Sequence, residues 1–223
     1  MKGDKMAYTE QEVKRLQELY TLIESRKEHP NAAPTYKDSP ALAETAQILL
    51  SRNDADIDTL VDKIAVLGYL CDSYYSLGRA AVSAKYYKIM LGCYLALKKL
   101  KSLNTKEQEA FEYAIFMAFK TRVYYEPDAC KDLMDMLSGS VGQDKLSELY
   151  QNAANARRGL PKDDPVEQTE EYLAVIDEVE RLIDENKTMD FCMEYWSLKS
   201  YYLSQKGIYW RSPVLLNPGV MFD

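Results

Sequence analysis

The chain has 223 residues, long enough to bury most of its apolar surface without metals or disulfides. With 47% apolar and 28% charged residues, the composition excludes a disordered chain and fits a globular one. The net charge of -7, with no basic stripe, argues against nucleic acid and anionic membrane surfaces as partners, because both are held by clustered Lys and Arg.

The first eleven residues have no apolar core of the kind a secretory signal needs, and residues 1–8 read as a tail. Thr9 and Glu12 fit a capping box, in which a hydroxyl and a carboxylate satisfy the free N–H groups of a helix start. Val13, Leu16, Leu19, Tyr20 and Ile23 then mark one face of a helix ending near Lys27. Pro30, Pro34 and Pro40 make 30–40 a loop, and Ser39-Pro40 starts a second helix that buries Leu42, Ala46, Leu49 and Leu50. A third helix opens at Asn53-Asp54 or Asp56 and carries Leu60, Ile64, Leu67, Leu70 and Tyr74 until the Leu77-Gly78 turn stops it.

A fourth helix runs from about Arg79 to Lys101. Lys98, Lys99 and Lys101 load its C-terminal end, where positive charge suits the helix dipole. Thr105 with Gln108 reads as a second capping box. The helix behind it carries Phe111, Ile115, Phe116, Ala118 and Phe119 on more than one side, which predicts burial between neighbours. Its densest apolar run, 114–119, is far too short to span a bilayer.

Glu126-Pro127 opens a further helix to Leu137. A Gly- and Ser-rich joint over 138–142 follows, then a helix through Leu146, Leu149 and Ala153. Gly159-Leu160-Pro161 is a second joint. Asp164-Pro165, with Glu167 in the third helical position, predicts a helix over 165–185 that pairs with another over 189–206. The first of these is intensely acidic. At about 100° per residue, Glu167, Glu171, Glu178 and Glu185 share one stripe and Tyr172, Ile176, Val179 and Ile183 the opposite one, so the acids read as the wet face. Residues 207–223 carry Pro213 and Pro218 and no helical period. They predict an extended tail, too apolar to stand free in water and docked on the helical body through residues such as Trp210 and Leu215. The whole reads as one all-α domain over 9–206, built of antiparallel helical hairpins.

Chemistry-bearing patterns are sparse. The one histidine, His29, stands at a helix end, where a cation suits the dipole, and no nucleophile is patterned around it. Cys71, Cys93, Cys130 and Cys192 lie far apart in apolar helical patterns, as buried reduced thiols of a cytoplasmic protein do. No Gly-rich phosphate loop is present, and no cofactor is expected. Arg157-Arg158 before Gly159 could grip an anion, or simply form a charged turn. The excess is in tyrosine, 18 residues, with doublets at 74–75, 86–87, 124–125 and 201–202. An apolar ring with a polar tip suits half-buried positions and interfaces.

Over 67–90, Leu70, Cys71, Tyr74, Gly78, Ser83 and Tyr87 stand in six successive signature places of a tetratricopeptide repeat, and Met90 fills the last place, where a small residue belongs. The segment, about 64–97, therefore resembles one tetratricopeptide unit. That resemblance implies a right-handed stack of helical hairpins, with an irregular helical bundle as the other arrangement. It also implies that the first helix of the unit lines a groove, with Asp72 and Tyr75 facing a partner and Gly68 leaving room. The function expected is the binding of a protein or peptide, neutral or basic in charge, without catalysis. A second reading is a Mg²⁺-dependent all-α nucleotide pyrophosphohydrolase, since Glu167-x-x-Glu170 resembles half of the acidic metal site of that class. A third is a structural subunit of a homo-oligomer.

Overall fold

The computed structural model describes residues 8–27, 39–51, 56–76, 78–123, 130–188 and 191–222. The sequence readings at His29-Pro30, Pro34, Asn53-Asp54, Leu77, the 124–125 doublet and Glu126-Pro127 lie outside them. Among the described residues the fold is all-helical, with no strand. No helix among them is long and apolar enough to cross a membrane. By its internal packing the chain divides into two compact units. The first comprises 1–79 and 83–118, the second 80–82 and 119–223.

Unit 1 begins with α1 (Glu10–Lys27). Its cap is the one expected: Thr9 N–H and Oγ1–H both donate to Glu12 Oε2 at 2.8 Å, and Glu12 N–H donates to Thr9 Oγ1 at 3.2 Å. α2 (Ser39–Leu50) packs on α1 and α3 (Ile57–Ser76). It buries Leu42, Ala46 and Leu49, but Leu50 is exposed, because it lies about 100° round the helix from Leu49. Arg15 clamps α1 to α2 through a two-pronged pair with Glu44, at 2.7 and 2.8 Å.

α3 stops at Gly78, whose φ of +72° is left-handed. Arg79 N–H bonds back to the Tyr74 carbonyl at 2.9 Å and Gly78 N–H to that of Tyr75 at 3.0 Å, the paired bonds of a Schellman cap. α4 (Ala80–Leu100) then returns along α3. Ser83 Oγ donates to the Cys71 carbonyl at 2.8 Å, Tyr87 OH donates to Asp72 Oδ1 at 3.1 Å, and Tyr86 stacks on Tyr74 at 5.5 Å. Ser83 meets Cys71, and Met90, seven residues further on, lies against Gly68, so the numbers fall along α3 as they rise along α4 and the pair is an antiparallel hairpin.

α5 (Thr105–Arg122) starts one residue earlier than expected. Asn104, not Thr105, is its cap. Glu107 N–H donates to Asn104 Oδ1 at 3.0 Å, and Asn104 N–H donates to Glu107 Oε2 at 2.9 Å. Lys101 adds a 2.6 Å bond to the same Glu107, so the acid is drawn to Asn104's register rather than to Thr105's. α5 buries Phe111, Ala114, Ile115, Met117, Ala118 and Phe119, yet it is not enclosed all round: Tyr113 is 56% exposed.

In unit 2, α6 (Lys131–Leu137) buries Leu133 and Leu137, and α7 (Gln143–Arg157) buries Leu146, Leu149 and Ala153. Phe119 meets Tyr150 edge to face at 5.7 Å. The joint after α7 is a turn with Gly159 at φ +80°. The expected helix over 165–185 begins differently. Asp164 caps a single 3-10 turn, Pro165–Gln168, and Thr169 caps a fresh start for α8 (Glu170–Asn186). Two caps five residues apart split the element, because each draws the N–H groups after it into its own first turn. α9 (Cys192–Gln205) pairs with α8. A second Schellman cap at Gly207 closes it, joining Ile208 to Leu203 and Gly207 to Ser204, both at 3.0 Å.

The tail is docked at its start and partly helical. Ile208 and Trp210 join Tyr172, Ile176, Val179, Ile183 and Leu203 in one apolar core. Ser212-Pro213 then nucleates one helical turn, α10 (Pro213–Leu216), where an extended tail was expected, since proline fits the first helical position. Leu215 is 67% exposed and contributes little to the docking.

Candidate functional site

The expected partner-binding residues lie on α3. Asp72 is exposed and accepts the Tyr87 hydroxyl. Tyr75 is half-buried beside it in sequence register. A Cβ built on Gly68 would sit 3.8 Å from Met90 Sδ, so this position faces α4 inside the hairpin.

Two further tyrosines border Asp72, Tyr87 buried and Tyr113 exposed. Burial and then the Asp72 carboxylate raise the Tyr87 phenol well above its ordinary range. Partial burial, then Asp72 and Tyr75, also raise the Tyr113 phenol on α5. Both phenols stay protonated and can donate. Tyr113 was not legible as a site residue, because it sits in a helix whose other residues read as core. Its signal is the exposed stripe Lys106, Glu109 and Ala110 that precedes it at helical spacing.

The larger feature of unit 1 lies between α1 and α3. Of the expected α1 face, Leu19 is buried and Leu16 half-buried, while Val13 is 40% and Tyr20 56% exposed. The side chain of Ile23 lies outside the described residues. The uncovered stripe borders a groove of about 720 Å³, walled by Val13, Leu16 and Tyr20 on one side and Ala65, Val66 and Tyr69 on the other. Leu49 of α2 contributes to its lining, and Asp62 brings one carboxylate. The rings of Tyr20 and Tyr69 stand 5.5 Å apart across it. Asp72 lies one helical turn beyond Tyr69, so groove and tyrosine patch are successive parts of one helix.

The acidic pattern of the second unit resolves otherwise than the sequence suggests. Glu167 is not on the wet face. It is buried, and its Oε1 accepts both the Lys199 ammonium at 3.1 Å and the Trp210 indole N–H at 2.7 Å. Glu170, at the first position of α8, is exposed. The two carboxylates of the Glu-x-x-Glu spacing thus stand in different environments, divided by the Thr169 cap. Among the described residues no three His, Cys, Asp or Glu side chains converge in a way that could hold a metal.

Lys199 is enclosed by rings as well as by Glu167. Its ammonium stands 4.7 Å from the Trp210 ring, 5.5 Å from Tyr172 and 5.8 Å from Tyr195. Burial opposes its charge, but Tyr172, Tyr195, Glu167 and Glu180 outweigh that, and Lys199 is held firmly protonated. A lysine so held is no nucleophile or Schiff-base former. The cluster fastens the tail to the α8–α9 hairpin.

No protein-family model, curated protein or solved structure matches this chain.

Proposed function

We propose that this chain is a protein- or peptide-binding helical scaffold. The observation that carries the reading is the apolar groove between α1 and α3, about 720 Å³ and bordered by exposed Val13 and Tyr20. An apolar stripe of that kind is stabilised by an apolar side-chain row from a partner, as when an amphipathic segment lies in a groove. Tyr20 and Tyr69 suit the role, since tyrosine presents large rigid area and a polar tip. Asp62 in the groove and Asp72 beyond it favour a neutral or basic segment. The tetratricopeptide resemblance of 64–97 supports the same reading, since the groove-lining helix α3 is the first helix of that unit.

A peptide library panned against the protein tests it. The expected result is enrichment of segments with apolar residues at helical spacing and Lys or Arg beside them, and loss of that enrichment in Ala65→Arg. Ala65 is exposed, so the arginine fills the groove without entering the core. Selected peptides that bind Ala65→Arg as well as the parent protein would overturn the assignment.

A further inference from the structure

We propose that the turn after α7 forms a binding site for a phosphate monoester carried on a small aromatic group. The cleft lies wholly in unit 2 and is independent of the α1–α3 groove. It encloses about 270 Å³ and is lined by three cations, Arg157, Arg158 and Lys162, and by an apolar wall that includes Val123, Ala154 and Leu160, with the Tyr150 ring beside them.

The charge balance is unusual for this chain. Acidic residues outnumber basic ones 35 to 28, yet no carboxylate lines the cleft. The side chains of Arg158 and Lys162 hold no ion pair among the described residues. The negative end of the α7 dipole, about half an elementary charge, accounts for less than one of the three cations. Of the two acids next in sequence, one is already engaged and the other is disfavoured as a charge. Asp164 takes three bonds from Arg211, at 2.7, 3.0 and 3.1 Å. Asp163 is pushed up to about 6 by burial and then by Glu167, with Arg157 and Lys199 opposing.

The cleft is also prebuilt. Gly159 at φ +80° turns the chain so that Arg157, Leu160 and Lys162 come to one place, with Leu160 N–H on the Arg157 carbonyl at 3.1 Å. Arg157 Nη2 donates to the Pro161 carbonyl at 2.7 Å, which pins the guanidinium. Asn217 clasps the Lys162 backbone on both sides, accepting its N–H at 2.7 Å and donating to its carbonyl at 2.9 Å. Two charges without partners beside a fixed guanidinium match a dianion with several acceptor oxygens, and the fork geometry of arginine matches phosphate. The small volume and apolar wall admit a ring behind the phosphate and little more. A site held by its own backbone loses little freedom on binding.

Phenyl phosphate titrated into the full chain, followed by calorimetry and by amide shifts, tests the site. Inorganic phosphate and benzoate serve as comparison arms. The expected result is saturable binding of phenyl phosphate with shifts centred on residues 150–162. Arg158→Ala and Lys162→Ala should each weaken it about tenfold or more, the loss expected for one charge-assisted hydrogen bond. Both side chains are exposed, and an unchanged melting temperature shows that the variants fold. A free aryl phosphate and a phosphotyrosine side chain share this chemistry. A short phosphotyrosine peptide beside phenyl phosphate tells them apart, and saturable binding of either supports the site. Absence of saturation at millimolar phenyl phosphate and peptide, equal affinity for benzoate, or full binding by the double variant would each overturn it.

Discussion

Trp210 donates its indole N–H to Glu167 Oε1 at 2.7 Å, across 43 residues of sequence. The bond ties the tail to the 3-10 turn before α8, and Lys199 shares the same oxygen at 3.1 Å. Removing one partner of a buried charged pair leaves the other uncompensated. Lys199→Met should therefore lower stability by about 3–5 kcal/mol. The pair Lys199→Met/Glu167→Leu should recover much of that loss, because neither charge is then stranded. Urea denaturation, followed by tryptophan fluorescence, measures both. A single variant as stable as the parent would show that the cluster does not hold the tail.

The tail is anchored unevenly, and the two ends of its burial range give a paired prediction. Trp210, in the core, should cost about 3–5 kcal/mol on truncation to Ala. Leu215, 67% exposed, should change stability by no more than about 0.5 kcal/mol when truncated in the same way. Removing everything after Gly207 takes away Ile208 and Trp210 together. That truncation should lower the melting temperature clearly, since each large buried side chain contributes about 1.5–3 kcal/mol.

Gly68 and Gly78 of the α3–α4 hairpin should respond in opposite directions. Gly78 is left-handed, so Gly78→Ala should cost about 1–2 kcal/mol. Gly68 lies inside a helix, and an added methyl would meet Met90 at ordinary contact distance. Gly68→Ala should therefore stabilise the chain by about 0.5–1 kcal/mol. Thermal unfolding of the two variants decides the point. A destabilised Gly68→Ala would mean that the hairpin has no room for the methyl.

Adjacent aspartates should give opposite pH dependences. Burial, then Glu167, raises Asp163 from about 3.8 to about 6, so the folded state favours its protonated form. Its contribution is fully present below the ordinary value and is lost as pH rises through about 6. Asp163→Asn should thus stabilise the protein at pH 8 by about 1–3 kcal/mol, with the gain fading toward pH 4. Burial would also raise Asp164, but Arg211 and the backbone N–H groups of Arg211 and Val166 outweigh it and hold the carboxyl below its ordinary range. Its contribution is present above the ordinary value and is lost as pH falls through the depressed one. Asp164→Asn should destabilise at pH 7, and by less in acid. Melting curves from pH 3.5 to pH 8 separate the two.

The cap of α5 supplies a local test. Asn104→Ala should cost about 1 kcal/mol, whereas Thr105→Ala, inside the first turn, should cost only a few tenths. Equal effects would return the cap to Thr105.

What the sequence determined by itself is local. The Thr9 cap, the Gly78 stop and the apolar stripe Tyr172, Ile176, Val179 and Ile183 all follow from residues within a few turns of each other, where backbone geometry fixes who meets whom. Around the candidate site, Asp72 and Tyr75 were named through the tetratricopeptide resemblance, whereas Tyr113 was hidden in a helix that reads as core. The tertiary structure decided the rest. It left Val13 and Tyr20 of α1 uncovered, because a helical stripe states only that it can be buried, not that a neighbour is long or close enough to bury it. It turned Glu167 inward, because a charge's sign and register place it on a surface, while a lysine 32 residues and an indole 43 residues away can make the interior the better solvent.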